Sequence, residues 1–286
     1  LDLASASLNH IIAAKLKDVF IIAHHEISKA IPEEITIINP EIYPEKQKIS
    51  GAGLTYLFCK ELNKENKEFA KLAILGMIGD SLEKEIDILN NGILDEGEIQ
   101  RKRGLLIYPS TRPLNRTLEY SSNPYIPGVT GNIKGVLELL REAGLKPENG
   151  KYKSLIELED QEMEKLTTTI MLRIPKSEKA IGDIFLIKMY NKLEDAREMS
   201  AKLNACSRSG ESEIAIQLCM EIPEAKKKAE NIHARYKQSI ISALKFVQEI
   251  EHIEGDGFTI INARDNIQDT LIGTIASILS NSILYK

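Results

Sequence analysis

Two adjacent histidines, His24 and His25, directly follow an apolar run of strand length at residues 18–23. Catalytic and metal-binding groups of α/β proteins gather at the carboxyl ends of sheet strands, so the position of the pair is chemically informative. Neighbouring imidazoles at such a place can bind a divalent metal ion and a phosphate group. Two loop histidines that only end a strand are an equally acceptable interpretation of the pair taken alone.

Four further polar side chains stand where the same sheet edge would place them. They are Asp2, Glu26 after the histidine pair, Asn39 at the end of the next apolar run, and Asp80 at the end of an apolar helical pattern. Carboxylate and imidazole ligands suit Mn²⁺ or Mg²⁺, and such an ion activates water for phosphodiester hydrolysis. The hypothesis from these residues is a divalent-metal site that acts on phosphodiester bonds.

The elements that would carry these residues alternate between strand and helix. Apolar runs at residues 18–23 and 34–39 are each followed by a helical pattern. Strands that are apolar on both faces and separated by helices are typical of a parallel sheet covered on both sides. We therefore expect residues 1–130 to form an α/β domain with a mostly parallel sheet, in which His24, Asn39 and Asp80 converge at one edge.

The remainder of the chain carries mainly helical patterns over residues 131–253, followed by a turn, a short strand candidate and an apolar helical pattern. The chain begins with Leu, and both of its ends fall directly beside regular patterns. We therefore expect both ends to be cut within a fold.

Composition excludes several classes of protein. With 43% hydrophobic and 28% charged residues, the chain has the balance of a globular protein. A net charge of −5 excludes a general polyanion binder but leaves room for a local basic groove. Three cysteines without CxxC spacing argue against a disulfide framework or a zinc site and favour a reducing compartment, which we expect to be the cytoplasm. No segment reaches the roughly 18 apolar residues that a membrane span needs.

A basic stretch without acidic residues runs from Ile99 to Arg116, directly after an acidic stretch. Guanidinium groups fit phosphate bidentately, so this stretch is a candidate for binding nucleic acid. The candidate residues are Arg101, Arg103, Arg112 and Arg116, with Arg208 farther along the chain. Composition alone favours the alternative, a solvated face whose arginines pair with acidic residues.

The triplet Ala23-His24-His25 resembles the signature of the DHH phosphoesterases, which is Asp-His-His. The stretches that follow resemble the same family in order and spacing, namely Ile38-Asn39-Pro40, Ser50-Gly51-Ala52-Gly53 and Gly76-Met77-Ile78-Gly79-Asp80. Asp2-Leu3-Ala4-Ser5 is similar to its second motif. Within the family, residues 124–131, 195–208 and 269–274 resemble archaeal RecJ-like proteins.

This resemblance implies a fold in which a DHH domain and a DHH-associated domain face each other across a groove, so that residues 254–286 would begin the associated domain. It implies a single-strand-specific exonuclease of DNA replication and repair that depends on Mn²⁺ or Mg²⁺. The implied partners are single-stranded DNA or RNA, the GINS complex and the replicative helicase, with no membrane. The related subunit of the eukaryotic helicase is a scaffold without nuclease activity.

Carried over residue by residue, the resemblance assigns metal binding to Asp2, His24 and Asp80, and contact with substrate phosphate to His25. Ala23 departs from the family, because it stands where the bridging Asp ligand is expected and a methyl group cannot coordinate a metal. Three explanations stay open: an engineered substitution, a natural one in a degenerate scaffold paralogue, or a site whose remaining ligands hold one metal. In each case we expect Mn²⁺ or Mg²⁺ to be weakly held or absent and the chain to be poorly active.

Two functions from different classes therefore compete. The first is a RecJ-like exonuclease impaired by Ala23, and the alternative is a non-catalytic replication scaffold that holds single-stranded DNA, GINS and the helicase. Hydrolysis of a small phosphodiester, such as a cyclic dinucleotide, is allowed by the family and disfavoured by the archaeal-type stretches.

Overall fold

The structure is a computed structural model that describes residues 8–13, 19–27, 30–33, 35–121, 124, 126–174 and 180–280. Asp2, predicted to be a metal ligand, lies outside the described residues. The chain divides into two compact units, Leu1–Ser200 and Ala201–Lys286. The domain boundaries proposed from the sequence at residues 130 and 253 stay predictions.

The first unit contains a parallel pair of strands. Strands β1 (Val19–Ile22) and β2 (Ile35–Ile38) pair in parallel, with Val19 opposite Ile35 and Ile22 opposite Ile38. Ile21, Ala23 and Ile35 form the buried core of this region, and Ile11 of helix α1 (Leu8–Ala13) packs against it. The parallel pairing therefore rests on the apolar runs that predicted it.

Three helices follow the parallel pair. Helix α2 (Gly51–Leu62) begins at Ser50, whose hydroxyl accepts a hydrogen bond from the backbone N–H of Gly53. Helix α3 (Ala70–Gly79) packs on α2 so closely that a Cβ atom at Gly76 would lie 2.5 Å from the Cβ atom of Ala52, and only glycine permits this approach. Helix α4 (Ile88–Glu96) packs on α3 in turn.

An antiparallel sheet completes the first unit. Its strands β3 (Gln100–Leu105), β4 (Ile181–Met189) and β5 (Lys192–Asp195) lie in the order β3-β4-β5. Three helices lie between β3 and β4 in the chain: α5 (Leu114–Glu119), α6 (Ile133–Glu142) and α7 (Asp160–Arg173). Their apolar faces share one core with the end of β3, which includes Leu105, Leu118, Leu139, Leu140 and Leu166.

The region of mainly helical patterns, residues 131–253, also contains strands β4 and β5, and β5 leads directly into helix α8 (Ala196–Arg208). Pairing of β5 with β4 extends the strand to Asp195, and the Asp195 carboxylate then accepts hydrogen bonds from the first turn of α8. The boundary between the two units falls within α8.

The second unit is mainly helical. Helix α9 (Ser212–Cys219) packs on the long helix α10 (Pro223–Glu249), which a hairpin of β6 (Ile253–Gly255) and β7 (Phe258–Ile260) follows. The last described element is helix α11 (Asp269–Ser280), which meets α10 where the hydroxyls of Tyr236 and Thr274 lie 3.1 Å apart. The predicted α/β class is confirmed, and no helix among the described residues is both long and apolar enough to cross a bilayer.

Candidate functional site

The end of β1 and the end of α3 meet at the two predicted groups His24 and Asp80. The Nε2 atom of His24 lies 3.7 Å from the Oδ2 atom of Asp80, with 17% and 39% of the two side chains exposed. The rings of His24 and His25 follow one another, with centroids 4.3 Å apart. Short apolar elements bring these groups together because β1 is fixed by its pairing with β2 and α3 is buried along most of its length.

Asn39 connects the histidine loop, the segment after β1 that carries His24 and His25, to the end of the neighbouring strand β2. Its Nδ2 atom donates a hydrogen bond to the carbonyl oxygen of His25 at 2.9 Å, and its Oδ1 atom accepts one from the backbone N–H of Glu41. Only 1% of Asn39 is exposed. The structure thus places His24 beside Asp80 and holds Asn39 against the main chain of His25, whereas the chemical roles of these residues stay predictions.

The residue directly before the histidine pair is Ala23. It is 3% exposed, and its backbone N–H continues the parallel ladder to Ile38. A buried methyl group therefore stands beside His24, where the resemblance to the DHH phosphoesterases leads us to expect a carboxylate. Across the described ranges, no group of three or more His, Cys, Asp or Glu side chains is placed to hold a metal ion. His24 and Asp80 alone do not supply the ligands of a two-metal centre.

The arginines of the basic stretch are held in ion pairs. On β3, the Arg101 Nε atom donates to the Oδ2 atom of Asp183 at 2.7 Å, and the Arg103 Nη1 atom lies 3.5 Å from the Oδ1 atom of the same carboxylate. Asp183 belongs to β4 and directly faces Arg103 in the antiparallel register. One carboxylate that is mostly covered thus takes two arginines.

The other candidate arginines are also engaged. Arg112 pairs with Glu198 at 2.7 Å, Arg116 with Glu119 at 3.1 Å, and the Arg208 Nε atom donates to the Oδ1 atom of Asn204 at 3.2 Å. The ion pairs match the alternative of a solvated face whose arginines pair with acidic residues. A role in binding phosphate stays a prediction for Arg101, Arg103, Arg112, Arg116 and Arg208.

The neighbouring acidic stretch pairs with cations from elsewhere in the chain. Glu83 contacts Arg197, Glu85 contacts Lys48, and Glu96 contacts Lys60. Lys60 and the hydroxyl of Tyr56 both donate to the Glu96 carboxylate, and the hydrogen bond from Lys60 lowers the pKa of Glu96. The acidic and basic stretches therefore do not neutralise each other, although they adjoin in the sequence.

Part of the chain matches a known domain family, and most of the chain is similar to two known proteins. Residues 107–184 match the DHH-CID domain family. It is 29% identical over 293 residues to an uncharacterized protein of Methanocaldococcus jannaschii, with 97% of this chain and 62% of that protein covered. Its fold is similar to a crystal structure of CDC45 from Entamoeba histolytica, with a TM-score of 0.62, 11% identity, and coverage of 92% of this chain and 62% of the other.

These findings confirm the resemblance to DHH-family, RecJ-like proteins that Ala23-His24-His25 first indicated. The chain spans 62% of the length of each of the two similar proteins. The likeness to CDC45 is one of fold.

Asp195, to which the sequence assigned no site role, connects the region that matches the DHH-CID family to helix α8. The Asp195 carboxylate accepts hydrogen bonds from the backbone N–H groups of Ser110, Arg197 and Glu198, at 2.8, 2.9 and 3.3 Å. Asp195 is 3% exposed, and the ion pair between Arg112 and Glu198 lies beside it. An Asp directly before a helical pattern is the usual signal of a helix cap, but its bond to Ser110 spans 85 positions and has no local signal.

Proposed function

We propose that this chain belongs to a RecJ-like replication protein that binds single-stranded DNA and acts as a scaffold rather than as a nuclease. The observation that carries the proposal is Ala23, a buried methyl group directly beside the His24–Asp80 pair. A two-metal centre needs anionic ligands that neutralise the ions and fix their separation. Replacing the bridging carboxylate by a methyl group removes such a ligand at the point where both metals would share it.

The DHH-CID domain and the CDC45-like fold support the replication context of the proposal. The proposed partners are single-stranded DNA, with RNA as the chemically similar alternative, together with the GINS complex and the replicative helicase. The proposed compartment is the cytoplasm. Co-elution of the chain with purified GINS in size-exclusion chromatography tests the protein partner, and separate elution at micromolar concentrations of both would contradict it.

A weakened exonuclease is the second candidate function, and the pairing of His24 with Asp80 at 3.7 Å favours it. These two side chains would hold one Mn²⁺ or Mg²⁺, with Asp2 proposed as a further ligand. When bound, such an ion lowers the pKa of a coordinated water and so supplies a nucleophile for phosphodiester hydrolysis. His25, adjacent to His24, would contact the substrate phosphate.

One assay separates the two functions. A labelled single-stranded oligonucleotide is titrated with the chain, and the same mixtures are incubated with Mn²⁺ to measure released nucleotides. The scaffold proposal predicts salt-dependent binding and no more release than from the His24→Ala variant. Release by the unmodified chain that His24→Ala abolishes would establish the exonuclease instead. Absence of binding at low salt would overturn the proposal itself.

A further inference from the structure

Helix α10 presents a row of cations on its solvent face. Its exposed cations include Lys227, Lys228, Arg235 and Lys245, which we call the α10 basic stripe. With about 100° of rotation per residue, the stripe occupies an arc of roughly 100° on the helix surface. The opposite side of α10 carries the buried residues Ala225, Ala229, Ile232, Tyr236, Ala243 and Val247. The stripe therefore points away from the helices on which α10 packs.

The stripe is not neutralised by any side chain among the described residues. None of its four cations takes part in an ion pair or hydrogen bond of its side chain within the part of the chain that the structure describes. The acidic residues on the same arc, Glu224 and Glu249, lie beyond its two ends. This contrasts with Arg101 and Arg103, whose charges are already met by Asp183.

The side chains between the cations are polar and neutral. Asn231, Gln238 and Ser242 are exposed and fall on the same arc as the stripe. Amide and hydroxyl groups donate hydrogen bonds to phosphate and sugar oxygens, as they do in protein–DNA interfaces. An exposed apolar side chain, Ile241, lies at the margin of the arc. The stripe thus lacks the central apolar or aromatic anchor on which protein–protein interfaces depend.

We propose that the α10 basic stripe binds the phosphate backbone of single-stranded nucleic acid. From Lys227 to Lys245 it extends about 27 Å along the helix axis, at 1.5 Å per residue. A linear row of unpaired cations with interspersed hydrogen-bond donors matches a polyphosphate strand, and it does so in a chain whose net charge is −5. The inference rests on the proposed function and deepens it, because it names the surface that the nucleic acid contacts.

The test compares two variants in which the same number of positive charges is removed. In the first, Lys227, Lys228, Arg235 and Lys245 are changed to Gln. In the matched control, four exposed lysines of the first unit, Lys64, Lys67, Lys146 and Lys151, are changed to Gln. Affinity for a labelled oligo-dT is measured at several salt concentrations. The slope of log affinity against log salt is expected to fall by about 0.7 for each phosphate that the variant no longer neutralises.

The stripe variant is expected to bind at least about tenfold more weakly than the unmodified chain, with the reduced slope, while the control keeps both properties. A third variant that changes the three stripe lysines to Arg should bind as the unmodified chain does, because it keeps the charges. Equal weakening of binding in the stripe variant and the control would overturn the inference, since it would show that affinity depends on total charge and not on the stripe. Normal binding by the stripe variant would overturn the inference alone, whereas no binding by the unmodified chain would overturn the proposed function.

Discussion

The side-chain amide of Asn39 donates a hydrogen bond to the main-chain carbonyl of His25, with 2.9 Å between nitrogen and oxygen. The same side chain accepts from the backbone N–H of Glu41, so one buried residue at the end of β2 joins two loops. The position of the histidine pair therefore depends on the neutral side chain of Asn39.

Changing Asn39 to Ala should lower the free energy of unfolding by about 1–3 kcal/mol, because it removes both hydrogen bonds of a buried side chain, to the carbonyl of His25 and from the N–H of Glu41. The matched control is Asn63→Ala, since Asn63 makes the equivalent bond to the backbone N–H of Glu65 in an exposed setting. The control should cost no more than about 1 kcal/mol. Urea denaturation measures both, and equal destabilisation would show that the bond to His25 adds nothing.

Asp195 should be among the costliest single carboxylates of the first unit to remove. It accepts three backbone N–H groups and is buried, so Asp195→Ala should lower the free energy of unfolding by about 2–4 kcal/mol. Asp87, which caps α4 with one bond to the N–H of Asn90, is the control, and Asp87→Ala should cost about 1 kcal/mol. Similar costs for the two variants in denaturant titrations would refute the role of the Ser110 bond.

Glu157 should make the stability of the folded chain depend on pH in the acidic range. Its carboxylate accepts hydrogen bonds from the backbone N–H and the hydroxyl of Ser154, and the backbone bond in particular lowers the pKa of Glu157. A pKa lowered by folding gives stability that is present above the unfolded value of about 4.3 and is lost as the pH falls through the folded pKa. Thermal unfolding from pH 6 down to about pH 3 should therefore decline less steeply in Glu157→Gln than in the unmodified chain. Parallel profiles would contradict this assignment.

The parallel pair and the histidine loop could be predicted because their signals are local. Residues 18–23 and 34–39 are mostly apolar, and the histidines follow the first run directly. Strand β3 could not be predicted in this way, since its first four residues, Gln100 to Arg103, are all polar. It is a strand because β4, about 80 positions later, supplies its hydrogen-bond partners.

The proposed nucleic-acid surface also depends on residues that are far apart in the sequence. The arginines from Arg101 to Arg116 attract notice because they are close together in the sequence, but the carboxylates that meet Arg101, Arg103 and Arg112 are Asp183 and Glu198. The α10 basic stripe spreads its cations over 19 positions, Lys227 to Lys245, and becomes visible only once the helix and its buried side are known.

We propose that Ala23 disables the metal site, and Mn²⁺-dependent stability of Ala23→Asp tests this proposal most directly. A buried carboxylate at position 23 should destabilise the chain in the presence of a chelator. Mn²⁺ at about 100 times its dissociation constant should then raise the free energy of unfolding by about 2.7 kcal/mol. Ala23→Asn, and Ala23→Asp combined with His24→Ala, provide the controls and should not respond to Mn²⁺. The account predicts a rise in melting temperature with Mn²⁺ for Ala23→Asp and little or none for the unmodified chain. An equal rise for the unmodified chain, or no rise for Ala23→Asp, would contradict it.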